Sequence, residues 1–81
     1  MHLSVYLKEQ GRSQAQFGAA LRPPVSQALV SQWVLGHTAI SLHYSIEIER
    51  ETSGEVTVRD CAAMLQRQHK GRARQQERPH A

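Results

Sequence analysis

The 81 residues hold one cysteine, Cys61. Without a second thiol there is no intramolecular disulfide framework, and without a cysteine pair at metal spacing there is no zinc-finger scaffold. Such usage fits a reducing compartment. Long apolar runs are missing too: no stretch approaches the ~20 residues that a bilayer-crossing helix needs. Met1-His2-Leu3-Ser4 does not begin with a basic region leading into an apolar segment. The expectation is a soluble, non-exported, cytoplasmic protein. Metal and catalytic constellations are also lacking. His2, His37, His43, His69 and His80 are scattered without ligand spacing, and no nucleophile stands at a spacing that would set it beside a base. No enzyme activity, metal or cofactor is expected.

Charge is small overall and uneven along the chain. Residues 1–66 carry five Lys/Arg against six Asp/Glu, and residues 67–81 carry five against one. A near-neutral domain over 1–66 is thus expected to bear a basic, flexible tail over 67–81, which has almost no apolar content to fold around. Such a tail suits electrostatic contact with a polyanion, nucleic acid being the usual one, and also suits a solvated end that keeps the protein in solution.

What the sequence does contain is helix punctuation. Leu3, Tyr6 and Leu7 fall at helical spacing, with Gly11 where a left-handed cap is expected. Ser13-Gln14-Ala15-Gln16 forms a capping box that starts a second helix, which must end near Leu21 because Pro23 pushes Arg22 toward an extended conformation. Ser26 is the next N-cap, with Val25 and Val30 spaced as a hydrophobic staple. The third helix, Ser26 to Leu35, puts Val30, Trp33 and Val34 inward and Gln27, Ala28, Ser31 and Gln32 outward, and Gly36 ends it. Gly18 provides a small residue where the second and third helices cross.

Residues 40–59 support two patterns. As helices, Leu42 to Thr52 buries Leu42, Ile46 and Ile48, stops at Gly54, and restarts at the box Thr57-Val58-Arg59-Asp60. As strands, Ser45–Glu49 and Glu55–Arg59 alternate polar and β-branched residues about a glycine-containing connection, which describes a β-hairpin. The helical reading is preferred. It gives an all-α fold class, a small five-helix domain, against an α+β alternative with a C-terminal hairpin. Cys61 and Trp33 are assigned to the core, and Glu47, Glu49, Glu51 and Glu55 to a side facing away from any phosphate.

A small residue within one helix, a short connection, an N-cap and a helix that is apolar inside and short-polar outside together describe a helix-turn-helix. The blocks Gln14–Leu21, Pro24–Gly36 and Glu47–Thr57 resemble the Cro-type regulators of temperate phages and the YdaS-like proteins of bacterial chromosomes and prophages. The likeness spans roughly residues 3 to 60. It implies a λ-repressor-like helical core, or a Cro variant whose hairpin serves dimerisation, and a small transcriptional repressor binding double-stranded DNA. It places Gln27, Ala28, Ser31 and Gln32 at base-reading positions, and Gln14 and Ser26 at phosphate-holding ones. Arg12 and Arg22 flank the second helix within reach of phosphates. A homodimer on a pseudo-palindromic operator follows from the symmetry of such sites. One departure stands out: Leu21-Arg22-Pro23-Pro24-Val25 is two residues longer than the family's usual turn, which puts the interhelix angle at issue. A reading from another class is an antitoxin-like module that binds a toxin and contacts DNA only secondarily.

Overall fold

A computed structural model describes residues 1–65 of the chain. Five helices follow one another: α1 Leu3–Gln10, α2 Gln14–Ala20, α3 Gln27–Leu35, α4 Leu42–Glu51 and α5 Val58–Ala63. No strand occurs among the described residues. The expected tail over 67–81, and the domain boundary set at residue 66, lie outside them.

Every helix begins on a side-chain cap, which supplies acceptors to backbone amides that have no partner within the helix. His2 Nδ1 accepts from Ser4 N, Ser26 Oγ from Leu29 N, and Ser41 Oγ from Tyr44 N. Ser13 with Gln16 and Thr57 with Asp60 complete reciprocal capping boxes. At the other end, α1 and α3 stop on Gly11 and Gly36 with φ of 64° and 78°.

The core gathers Leu3, Tyr6 and Leu7 of α1, Phe17 of α2, Val30 and Trp33 of α3, Ile48 of α4, and Cys61 of α5, with Leu21, Val56 and Met64 at helix ends and between helices. Each large apolar side chain so buried contributes about 1.5–3 kcal/mol. Tyr6 meets the Phe17 ring edge-on at 6.3 Å. No helix among the described residues is long and apolar enough to cross a membrane.

Residues 40–59 hold α4, a turn and the first residues of α5, with no strand, and four polar contacts account for it. The Thr52 hydroxyl donates to Ile48 O at 2.8 Å and accepts from Val56 N at 3.0 Å, closing the end of α4 onto the following chain. Glu49 Oε1 accepts from Val58 N at 2.9 Å, tying α4 to the start of α5. Gly54 N donates to Glu49 O at 2.8 Å within the same turn. The buried stripe of α4 is Ser45, Ile48 and Thr52 rather than Leu42, Ile46 and Ile48: Leu42 and Ile46 are 68% and 52% exposed. Thr52 can be buried because its hydroxyl is bonded to nearby backbone, and Ser45 because its hydroxyl pairs with the Cys61 thiol of α5; no buried side-chain N or O among the described residues lacks a partner.

Candidate nucleic-acid interface

α2 and α3 cross at Gly18. A Cβ there would stand 2.5 Å from Val25 O, 3.1 Å from Val30 Cγ2 and 3.3 Å from Val25 Cγ2. Gly18 O in turn accepts from Val25 N at 3.0 Å and from Leu21 N at 3.2 Å. The Val25 bond links the last turn of α2 to the residue just before the Ser26 cap.

The two residues by which the connection exceeds the usual turn therefore leave the crossing closed. They lie against α4 instead: His43 Nε2 donates to Arg22 O and Tyr44 Oη to Pro23 O, both at 2.8 Å. The Arg22–Pro23 peptide is cis. Tyr44 also packs its ring on Trp33 of α3, with centroids 5.6 Å apart. α4 thus touches both the turn and the inner side of α3. Neither His43 nor Tyr44 was singled out from the sequence, and nothing local marks them, since their partners are backbone carbonyls about twenty residues away.

On the outer side, the residues expected to act together do converge in part. Gln27 Nε2 donates to Gln14 Oε1 at 2.8 Å, so the first residues of α2 and α3 meet at one edge of the surface. Gln27, Ala28 and Gln32 are exposed, and Ser31 is half-buried beside them. Ser26 is exposed, and its oxygen already accepts from Leu29 N, which leaves its hydroxyl proton to donate outward. Gln32 Oε1 accepts from Thr38 Oγ1 at 2.7 Å, a contact no sequence pattern indicated. Gln14, Ser26, Gln27, Ala28, Ser31 and Gln32 carry no formal charge.

The two arginines differ. Arg22 is exposed at the end of α2. Arg12 sits over the Phe17 ring, its guanidinium carbon 5.2 Å from the centroid, and is paired with Glu51 at 3.2 Å. The other carboxylates of α4 also have internal partners. Glu47 pairs with Arg50, whose hydrogen bond holds its carboxyl below the usual range. Among the described residues no cluster of His, Cys, Asp and Glu could hold a metal ion. Cys61 is buried, and desolvation pushes its thiol pKa up.

A family model described as helix-turn-helix matches residues 3–53, more than half of the chain and the whole of α1 through α4. No curated protein and no solved structure matches the sequence.

Proposed function

The chain belongs to the helix-turn-helix family, whose members are DNA-binding regulators, and from that premise we propose a sequence-specific transcriptional repressor of the Cro or YdaS-like kind. The recognition helix, Ser26 to Leu35, lies in the major groove, with Gln27, Ala28, Ser31 and Gln32 toward base edges. Gln14 and Ser26 hold phosphates beside it, with Arg12 and Arg22 as the cationic contacts. The observation that carries this reading is the Gln14–Gln27 bond across a crossing that only glycine permits, because it brings two helix starts to one uncharged polar face.

The chemistry of that face suits readout more than attraction. With one Nε2 proton given to Gln14, Gln27 retains an acceptor and a donor, the complement of adenine N7 and N6. Ala28 offers only a methyl, which suits the thymine methyl. Each good bidentate pair contributes on the order of 1–3 kcal/mol of discrimination. Attraction to phosphate must come from elsewhere, and residues 67–81, with five Lys/Arg against one acidic residue, are the proposed source. Two copies acting as a homodimer in the cytoplasm read half-sites about one helical turn apart.

A second reading, the toxin-binding module, draws on Leu42 and Ile46, which leave an apolar strip of α4 open to another protein. Selection of bound sites from random duplex DNA separates the two. An enriched palindrome is the expected result, and its absence would favour the interaction module. Deleting residues 67–81 is expected to flatten the dependence of log affinity on log salt; an unchanged slope would remove the tail from the interface.

A further inference from the structure

We propose that Thr38 makes Gln32 a reader of guanine, an inference that rests on α3 occupying the major groove. Gln27 and Gln32 are chemically identical, but their neighbours leave them different hydrogen-bonding capacity. Gln27 gives a proton to Gln14 Oε1, so its own oxygen stays available. Gln32 does the reverse: its oxygen accepts from the Thr38 hydroxyl at 2.7 Å, which occupies one of the two lone pairs on that oxygen and leaves both Nε2 protons free.

The local fold holds Thr38 where this contact forms. Gly36 adopts a left-handed φ of 78°, and the chain turns back so that both Gly36 N and His37 N donate to Gln32 O, the latter at 3.0 Å. Thr38 therefore follows directly on a segment bonded to the backbone of Gln32 itself. It is half-buried, and its β-branched side chain has few rotamers to choose from. Gln32 is exposed on the same outer side of α3 as Gln27 and Ala28.

A group with two free donors and an acceptor that it must share with Thr38 discriminates among base edges in a definite order. Guanine presents two acceptors, N7 and O6, and takes both protons. Adenine offers N7 to one proton, but its N6 donor must share the Gln32 oxygen with Thr38, thymine offers only O4, and cytosine only a donor. Gln32 held by Thr38 thus prefers guanine, whereas an unrestrained glutamine amide turns to suit adenine equally well. Thr38 is a positioning residue and need not touch DNA.

The test uses the full chain and site selection from random duplexes, followed by competition with duplexes changed at single base pairs. The Gln32 position is the one whose preference disappears in Gln32→Ala. The wild type is expected to favour guanine there over adenine by on the order of tenfold. Thr38→Val keeps the shape of the side chain and removes the hydroxyl, and is expected to bring adenine level with guanine at that position while every other position keeps its preference. Thr38→Ser is expected to restore guanine. Thermal melts followed by Trp33 fluorescence verify that each variant folds. A Thr38→Val profile identical to that of the wild type, or an adenine preference in the wild type at the Gln32 position, overturns the assignment while leaving groove binding intact. Failure of the wild type to enrich any sequence removes the groove reading and the assignment together.

Discussion

Gly18→Ala would set a methyl carbon 2.5 Å from the Val25 carbonyl oxygen, closer than such atoms are ever found, and within 3.1–3.3 Å of methyls of Val30 and Val25. The nearest atom is backbone, so no side-chain rotation relieves the clash. α2 and α3 must separate by several tenths of an ångström, and the Val25 N to Gly18 O bond of 3.0 Å stretches with them. Overpacking of this kind costs about 1–3 kcal/mol, and weakening the hydrogen bond costs up to about 1 kcal/mol more. Alanine regains about 1 kcal/mol of helix propensity, since the position lies within α2. The net expectation is a loss of up to about 3 kcal/mol. For a domain of this size each kcal/mol lowers the midpoint by about 4–8 °C. Trp33, the only tryptophan, is 2% exposed in the core and reports the transition by fluorescence. DNA affinity should fall further than stability alone accounts for, because the displaced element is the one that carries Gln27. A variant that melts at or above the wild-type midpoint and binds DNA unchanged would refute the close crossing.

Three other perturbations address separate contacts. Thr52→Val leaves the buried Val56 amide without its 3.0 Å acceptor and is expected to cost about 1–3 kcal/mol in urea unfolding, whereas Thr52→Ser stays near wild type; equal losses for the two variants would argue against the hydroxyl. Glu51→Gln frees Arg12 from its 3.2 Å ion pair at a cost of about 0.2–1 kcal/mol in stability, and is expected to raise DNA affinity at low salt; unchanged affinity would remove Arg12 from the phosphate contacts. Asp60 is held to about 2 by the Met1 ammonium and by the Thr57 backbone amide and hydroxyl. A carboxyl lowered in the folded state stabilises fully above its ordinary pKa of about 3.9 and loses that contribution as pH falls toward 2. The stability difference between wild type and Asp60→Asn should therefore shrink across that window, and a constant difference down to pH 2 would contradict the assignment.

How much of this was legible in the sequence follows the range of the interactions. Ser13, Ser26, Thr57, Gly11 and Gly36 act within three or four residues of themselves, and each cap stands where its spacing indicated. Gly18 was legible as a small residue between apolar neighbours, though its 2.5 Å clearance was not. α4 was misread on its inward side because apolarity was the guide: Ser45 and Thr52 are buried, and Leu42 and Ile46 are not. The helical reading preferred over 40–59 is the one found, and the alternation that favoured strands misled because the Thr52 and Glu49 side-chain bonds that hold the helices reach four to nine residues ahead. At the candidate interface, the outer polar stripe of α3 was predictable from helical spacing. Its partners Thr38 and Gln14 were not, because side-chain pairing across a turn or between helices leaves no periodic trace.

The Val25–Gly18 bond closes the connection between α2 and α3 whatever lies between them, much as a clasp fixes two straps independently of the slack in the loop. Length added between Leu21 and Val25 goes toward α4, where His43 and Tyr44 take up the carbonyls of Arg22 and Pro23. The spacing of such a motif along the chain is therefore free to vary while its spacing in three dimensions is held. A connection of a different length would keep α3 in place as long as its last residue can still reach the Gly18 carbonyl.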